Sequence, residues 1–172
     1  GVVTTIKYDA DGRVLQRVVD PTGLALTTSY SYDALGDVLQ VTDPNGVVTV
    51  YTYDALGRRT KEQVDPTGLN LTTQYTYDDD GNVVAKTDAN GNTTRYVYDA
   101  HNQLTLTVDA EGDVSESVYD ADGRVVRTVQ YTKPISLQGL ATEVSDADIR
   151  SRLQATPGSD PTQFNYYDAD GR

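Results

Sequence analysis

Polar and apolar side chains alternate along several stretches of this chain, and the alternation predicts β-strands. In the stretch 69–77, Leu71, Tyr75 and Tyr77 fall on one face and polar residues fall between them. The stretch 24–32 repeats the pattern. Alternation with a period of two is typical of an antiparallel strand with one half-buried face. In the shorter stretch 47–53 both faces carry some apolar surface.

A Tyr-Asp pair recurs along the chain with a spacing close to 21 residues. The seven pairs begin at Tyr8, Tyr32, Tyr53, Tyr77, Tyr98, Tyr119 and Tyr167. A fixed period of this length predicts an array built from one small structural unit. Features that occur once per repeat are then architecture, and only departures from the pattern are candidates for local chemistry.

Each Tyr-Asp pair opens a turn of the kind seen in Asp9-Ala10-Asp11-Gly12. We expect the Asp side chain to accept a hydrogen bond from the N–H two residues on. The glycine at the fourth position can adopt the left-handed conformation, which predicts a type I turn followed by a bulge. Asn102 replaces the glycine in one copy, and asparagine tolerates that conformation well.

A second turn lies about half a repeat further on, as in Asp43-Pro44-Asn45-Gly46. We expect its glycine to close the turn in the same way in all five copies. From this Asp to the next Tyr there are 12 residues in two long copies (Asp20 to Tyr32) and 10 in the short ones (Asp43 to Tyr53). A difference of two keeps each side chain on its face. The chain is therefore predicted to be a continuous meander of β-hairpins.

Residues 132–163 interrupt the repeat. Within them, Ser145 followed by Asp146 and Asp148 is typical of a helix N-terminus, and Pro157-Gly158 would end the helix. We predict one short helix near 145–155, of about two and a half turns, that lies over the sheet or at its edge. Ile149 and Leu153 would be its docking side. The predicted organisation is a repeat array over 1–131, an insertion over 132–163 and the start of a further repeat over 164–172.

Composition narrows the function classes. The chain has 13 Tyr but one Phe and neither Trp, Met nor Cys, so thiol catalysis and thiolate metal sites are excluded. A net charge of −12 disfavours nucleic acid and anionic membranes as partners. No apolar run is long enough to span a membrane. The chain starts at Gly1 without methionine and stops at Arg172 within a repeat, so we expect it to be part of a longer protein.

Candidate chemistry is sparse. Paired tyrosines form a predicted aromatic ladder that could face carbohydrate, with Tyr51, Tyr53, Tyr75 and Tyr77 as the candidate residues. Packing on the sheet explains them equally well. The acidic turns, such as 78–81, lack the further ligands that calcium needs, and we expect solvated hairpin turns, with a weak cation site shared between neighbouring turns as the alternative. His101 is the only histidine and is expected at a turn surface. No catalytic, cofactor or metal-binding residue is predicted.

The motif Tyr-Asp-Ala-x-Gly-Arg, at 8–13, 53–58, 119–124 and 167–172, resembles the YD repeat of the Rhs family. That family includes bacterial Rhs toxins, C components of insecticidal toxin complexes, wall-associated proteins and teneurins. The resemblance covers 1–131 and 164–172 and implies a β-sheet that curves into a shell. In the toxin members the shell encloses a C-terminal toxic domain. The Asp-Pro-Thr-Gly-Leu segments at 20–24 and 65–69 are similar to the family's self-cleavage element, but they stand at regular turn positions.

The sequence thus predicts an all-β, antiparallel hairpin meander that forms a curved sheet or partial β-shell. We expect a non-catalytic wall segment of a large secreted or surface protein, bacterial in origin, that encapsulates a toxin domain. The alternative is a cell-surface array for adhesion or carbohydrate binding. Expected partners are the rest of a larger parent chain, an enclosed toxin domain, and either glycans or another protein. Open edge strands also favour self-association.

Overall fold

Antiparallel strands make up most of the protein, as the alternation of side chains predicts. The computed structural model describes residues 2–153 and 160–167. Within them, thirteen strands follow one another in chain order in one antiparallel sheet, with one α-helix between the last two strands. The expected fold class is confirmed. The elements are β1 (Thr4–Tyr8), β2 (Val14–Val19), β3 (Leu26–Tyr32), β4 (Val38–Thr42), β5 (Val48–Tyr53), β6 (Arg59–Val64), β7 (Leu71–Tyr77), β8 (Val83–Thr87), β9 (Thr93–Tyr98), β10 (Leu104–Val108), β11 (Val114–Tyr119), β12 (Val125–Gln130), α1 (Asp146–Arg152) and β13 (Thr162–Phe164).

The Tyr-Asp turns have the predicted geometry. Asp9 N–H donates to the carbonyl of Arg13 at 2.9 Å, and Gly12 has a left-handed φ of 81°. The Oδ1 atom of Asp9 accepts the N–H groups of Asp11 and Arg13, both at 2.9 Å. One carboxylate oxygen therefore holds two backbone donors of the turn. Asn102 takes the place of the glycine with a φ of 60°, as predicted.

Five of these hairpins also show a bulge directly after the turn. Tyr8 pairs with Val14 while Lys7 pairs with Gln16, so Leu15 is an extra residue in β2. The same shift of register accompanies four further tyrosines, namely Tyr32, Tyr53, Tyr98 and Tyr119. A bulge bends its strand and increases the local twist. Every repeat in which it is seen therefore bends at the same point.

The long and the short repeats differ by one residue in each of three elements: the strand before the second turn, the loop of that turn and the strand after it. β2 and β3 have six and seven residues, whereas β4 and β5 have five and six. Val19 pairs with Leu26 across the long second turn, and Thr42 pairs with Val48 across the short one. The loops between these pairs are therefore 20–25 and 43–47. The difference of two between Asp and the next Tyr consists of one loop residue and one strand residue.

The long second turns correct one prediction, because their glycines are not the left-handed residues. In the loop 20–25, Asp20 (φ 55°) and Ala25 (φ 49°) have positive φ, whereas Gly23 does not. The loop 65–70 behaves in the same way at its first and last residues. The N–H of Ala25 donates to the carbonyl of Asp20 at 2.8 Å, so a wider turn spans the additional residue. Glycine is still favoured at 23, because the Asp20 carboxylate occupies the space that a Cβ would fill.

Contacts divide the chain into two compact units, Gly1–Gln74 and Tyr75–Arg172. In the first unit the two faces of the sheet differ in polarity. Tyrosine pairs lie on one face, which we call the tyrosine face, and Ser, Thr and Gln predominate on the other. The paired tyrosines of this unit are Tyr30 and Tyr32 on β3 and Tyr51 and Tyr53 on β5. Side chains from β4 and β6 stand beside them, with Val41 opposite Tyr30 and Glu62 opposite Tyr51.

In the second unit the face opposite the tyrosines is apolar, and the insertion covers it. Val97 lies between Tyr96 and Tyr98 in β9 and therefore points to the other face. The core of this unit combines sheet residues with residues of the insertion. The sheet contributes Val97, Leu106, Val108 and Val114, and the insertion contributes Ile135, Val144 and Ile149. The insertion thus supplies the apolar partner that this part of the sheet needs.

The helix begins as predicted. The hydroxyl of Ser145 accepts the N–H of Asp148 at 3.1 Å, and the carboxylate of Asp148 accepts the N–H of Ser145 at 3.0 Å. Ile149 is fully buried and Leu153 packs beside the core, so the predicted docking side is confirmed. The helix has seven residues, about two turns, because Leu153 already has extended backbone (ψ 125°). The predicted stop at Pro157-Gly158 lies outside the described residues.

Candidate functional site

The hydroxyl of the Tyr-Asp tyrosine joins a repeat to the one before it. Tyr32 Oη donates to the carbonyl oxygen of Val14 at 2.8 Å, and Val14 is the residue that pairs with Tyr8 at the bulge. The same contact recurs as Tyr53 to Val38 at 2.9 Å, Tyr98 to Val83 at 3.2 Å, Tyr119 to Leu104 at 2.8 Å and Tyr167 to Val125 at 2.9 Å. A phenylalanine lacks the hydroxyl, which accounts for tyrosine at this position.

The register between the joined strands is the same at all five contacts. The residue two after the acceptor carbonyl always lies opposite the residue three before the tyrosine. The observed pairs are Gln16 with Ser29, Gln40 with Val50, Ala85 with Arg95, Leu106 with Glu116 and Arg127 with Phe164. A slip by one residue would move the hydroxyl about 3.3 Å from its acceptor and exchange the two faces. The contact therefore selects one register.

We call the tyrosine hydroxyl and its acceptor carbonyl together a repeat junction, and at two of the five junctions the arginine of the motif adds to it. At the other three, Asp37, Asn82 and Gln103 stand at the position of the arginine. Arg13 Nε lies 2.7 Å from Asp9 Oδ2, and its guanidinium carbon lies 5.1 Å from the ring centre of Tyr32. Arg124 repeats this with Asp120 at 2.8 Å and with the Tyr167 ring at 5.0 Å. The hydrogen bond to Asp9 raises the pKa of Arg13 above its usual value. The arginine thus binds its own turn and the tyrosine of the next repeat.

The four tyrosines predicted to face carbohydrate lie on two strands. Tyr51 and Tyr53 are on β5, Tyr75 and Tyr77 are on β7, and β6 lies between these strands in the sheet order. All four are half-buried. Tyr53 is already a junction tyrosine, and the Arg59 guanidinium carbon lies 5.4 Å from the Tyr51 ring centre. Burial raises the pKa of Tyr51, with a further contribution from Glu62. Sugar binding by these residues stays a prediction.

Acidic groups gather at one second turn. Carboxylate oxygens of Asp109, Glu111 and Asp113 lie within 4.8 Å of one another. Asp109 Oδ1 also accepts the N–H groups of Glu111 and Asp113, both at 2.9 Å, as its counterparts do in other turns. Glu111 and Asp113 are exposed. This arrangement follows from the fold of an acidic hairpin turn.

The remaining candidates occupy turns. The Asp20 carboxylate accepts the N–H of Leu24 at 3.1 Å, and the Asp65 carboxylate accepts the N–H of Leu69 at 2.8 Å. Both Asp-Pro-Thr-Gly-Leu segments therefore use their aspartate to hold a loop. His101 has an exposed side chain, 83% accessible, 3.9 Å from Asp99 Oδ2.

An ionic network around one buried carboxylate joins the insertion to the sheet, and the sequence-based predictions do not include it. Glu116 in β11 is 7% exposed, and its carboxylate lies 2.9 Å from Arg150 Nη2 of α1. The Tyr131 hydroxyl donates to the same carboxylate at 2.8 Å. Burial, followed by the hydrogen bond to Glu116, raises the pKa of Tyr131. The sequence of β11 indicates such a contact, because Glu116 is an acidic residue on a face that otherwise carries valines.

Taken together, the strands and junctions define an all-β repeat protein whose recurrent polar contacts connect one repeat to the next. The RHS Repeat family model matches residues 8–48, 32–69 and 77–114, together more than half of the chain. The chain therefore belongs to the RHS repeat family. Among curated protein sequences, none matches it. The helix of the described residues is too short to cross a membrane.

Solved structures show the same fold. A crystal structure of TcdB2-TccC3-Cdc42 superposes with a TM-score of 0.65 at 18% identity, over 77% of this chain and 8% of the other. A structure of the Photorhabdus luminescens Tc holotoxin pore with a mutant TccC3 also gives 0.65 at 18% identity, over 76% and 8%. For TcdB2-TccC3-TEV the values are 0.65 and 17%, over 96% and 8%. This chain therefore corresponds to a small part of the length of each of these structures.

Proposed function

We propose that this chain is a non-catalytic wall segment of a β-shell, in a large secreted or surface-displayed bacterial protein that encloses a C-terminal toxin domain. The observation that carries the proposal is that the same junction recurs between successive repeats. A repeat of this kind presents a tyrosine hydroxyl to the strand before it and a bulge carbonyl to the strand after it. An array with such junctions can be extended without a change of design. The solved structures with the same fold are toxin complexes, which supports the proposal that this chain belongs to a toxin-enclosing protein.

Two features of the repeat suit a wall. The bulge seen after five of the Tyr-Asp turns gives a repeated bend, and repeated bulges curve a sheet. The acidic turns stand outside the strands, and the net charge of −12 opposes adhesion to nucleic acid and anionic surfaces. An enclosing wall keeps its cargo from contact with the producing cell.

The test is the size and shape of the full-length gene product. Electron microscopy should show a hollow globular particle, and limited proteolysis should cut the C-terminal domain only after the shell is opened by denaturant. A rod-shaped particle with a freely cleaved C-terminal domain would contradict the proposal. Cell fractionation should find the protein outside the cytoplasm or on the cell surface.

The absence of catalysis is tested separately. Asp20→Asn and Asp65→Asn should leave the processing of the full-length protein unchanged, because each carboxylate serves its own loop. Loss of a cleavage product in either variant would assign that aspartate a proteolytic role.

The alternative is an adhesive array with affinity for carbohydrate along the tyrosine face. Tyr51 favours this alternative most, because its ring is half-buried and its hydroxyl takes no part in a repeat junction. A glycan array with Tyr51→Ala, compared with Tyr53→Phe as a control for the junction, would test it. Binding that is lost in Tyr51→Ala and kept in Tyr53→Phe supports adhesion. No binding by the unmodified chain would end the alternative.

A further inference from the structure

One repeat junction of the first unit has an aspartate where the junction before it has an arginine. In the earlier junction, Arg13 pairs with Asp9 Oδ2 at 2.7 Å and stacks on the ring of Tyr32. Arg13 Nη1 also donates to the carbonyl of Asp33, in the next turn, at 3.4 Å. A guanidinium therefore bridges two neighbouring turns. One repeat later, Asp37 stands in the place of this arginine.

The exchange leaves two carboxylates without a partner beside Tyr53. Asp33 Oδ2 corresponds to the atom that binds Arg13 in the earlier repeat, but it forms neither a hydrogen bond nor an ion pair with a described residue. The Asp37 carboxylate forms none either. The pKa of Tyr53 is raised by burial and then by the charge of Asp37, whereas Arg59 acts in the opposite direction. We call the two carboxylates and the Tyr53 ring the acidic notch.

In four other Tyr-Asp turns the same carboxylate oxygen has a side-chain donor. Three of these aspartates pair through Oδ2 with the arginine four residues on, namely Asp9, Asp54 and Asp120, at 2.7, 2.7 and 2.8 Å. Asp78 Oδ2 accepts the side-chain N–H of Asn82 at 2.9 Å. This position therefore suits a donor, and Asp33 lacks one because the residue four further on is an aspartate.

Two exposed leucines flank the acidic notch, each at the third position of a Tyr-Asp turn. Leu35 is 82% exposed and Leu56 is 75% exposed, and in the other Tyr-Asp motifs this position is Asp or His. The two turns belong to neighbouring hairpins, so two strand spacings, roughly 10 Å, separate them. Asp37 Oδ2 lies 3.6 Å from the place of a Cβ on Gly57, so the notch lies between the turns. Single exposed leucines are ordinary, but this pair borders unpaired charges.

The distance between the leucines favours a helical partner. Residues seven apart in an α-helix lie near one side, about 10.5 Å apart along the axis, and a residue three or four positions on lies between them. Same-side residues of an extended strand are about 7 or 13 Å apart, which matches the two turns less well. The helix of the described residues has Ile149 buried and Arg150 paired with Glu116, so that part of a second copy does not supply the partner.

We propose that the acidic notch and its flanking leucines, Leu35 and Leu56, form a docking site for an amphipathic helix of another protein. The helix presents an arginine to the notch and large apolar residues to the two leucines, which is the usual spacing of helix anchors. The guanidinium pairs with both carboxylates and stacks on the Tyr53 ring, and so repeats the contacts of Arg13. This inference goes beyond the wall function and does not depend on whether the array encloses a toxin.

Fluorescence anisotropy with the full chain and a labelled helical peptide tests the proposal. The probe is a peptide of about 18 residues made of Ala, Glu and Lys, with Leu-x-x-Arg-x-x-x-Leu at its centre. A control peptide has glutamine in place of the arginine. We expect the control peptide to bind on the order of tenfold more weakly, because its side chain offers no charge to the two carboxylates.

Two pairs of chain variants identify the site. Asp37→Asn should weaken binding of the first peptide about tenfold, whereas Asp79→Asn, in a turn without leucine, should not change it. Leu35→Ser should weaken binding about fivefold. Leu24→Ser, which changes a leucine of similar exposure (78%) in a second turn, should not change it.

Asp37→Arg fills the notch from within the chain. This variant should lose peptide binding and have a higher urea midpoint than the unmodified chain, because the new guanidinium takes the contacts that Arg13 makes one repeat earlier. Retained binding by Asp37→Arg, equal binding of the two peptides, or equal effects of Leu35→Ser and Leu24→Ser would overturn the proposal. So would the absence of binding to the unmodified chain up to about 1 mM peptide.

Discussion

The guanidinium carbon of Arg13 lies 5.1 Å from the ring centre of Tyr32, although the two residues are 19 positions apart in the sequence. Arg13 also forms an ion pair with Asp9 at 2.7 Å in its own turn. The arginine is therefore held by one repeat and stacked on the next. This explains why an arginine suits the position directly after the turn glycine.

Arg13→Lys should lower the stability of the chain, because a lysine has no planar group that can bind the carboxylate and stack on the ring together. The expected result is a lower urea midpoint with an unchanged m-value. Arg17→Lys is the matched control, since Arg17 is an exposed residue of β2 whose side chain makes no hydrogen bond, ion pair or ring contact among the described residues. Equal effects of the two substitutions would show that the stacking does not contribute.

Acid should weaken the Tyr-Asp turns. The N–H of Arg58 lowers the pKa of Asp54 below its usual value, and the Arg58 side chain acts in the same direction. Because the folded-state pKa is the lower one, the contribution of Asp54 is complete above its unfolded value of about 3.9. It is lost as the pH falls through the folded value.

Urea midpoints between pH 7 and pH 2 would measure this loss. Asp54→Asn should reduce the dependence on pH below about 4. Asp79→Asn removes the same charge from an exposed turn residue that makes no hydrogen bond among the described residues, so it should leave the dependence largely unchanged. A stronger dependence in Asp54→Asn would contradict this assignment.

The sequence predicts the hairpins because Asp and Gly at fixed spacing favour one type of turn. It predicts the helix start from Ser145 and Asp148 for the same local reason. The junction acceptors could not be predicted, because they depend on which carbonyl a bulge exposes on a neighbouring strand. The burial of the face under the insertion is also indicated by the sequence, although the predictions above do not include it. Val97, Leu106 and Val108 occupy the face that carries Ser, Thr and Gln in earlier repeats.

Ala25 has the left-handed conformation, with a φ of 49°, that its counterpart Asn70 adopts more readily. Ala25→Gly should therefore raise the free energy of unfolding by about 1 kcal/mol. Ala10→Gly, in a turn residue without a positive φ, should lower it instead, because it only increases the freedom of the unfolded chain. Destabilisation by Ala25→Gly would show that this loop has a different conformation.

Gly112 has a φ of 91°, and the backbone carbonyl of Ile135 lies where its Cβ would stand. Gly91 has a similar φ of 86° but open space around it. Gly91→Ala should cost about 1 kcal/mol through backbone strain alone. Gly112→Ala should cost more and should speed amide exchange in the insertion, since the carbonyl of Ile135 must move. Equal costs would mean that the insertion does not dock on this turn.

The most direct test of the repeat junction compares tyrosines that differ only in the use of their hydroxyl. Tyr32→Phe and Tyr98→Phe remove a hydroxyl that donates to a backbone carbonyl, whereas Tyr30→Phe and Tyr96→Phe remove hydroxyls outside the junctions, two residues away on the same strands. Measured by urea denaturation, the first two substitutions should each cost about 1 kcal/mol and the second two close to nothing. Equal effects of all four substitutions would contradict the conclusion that these hydroxyls connect one repeat to the next.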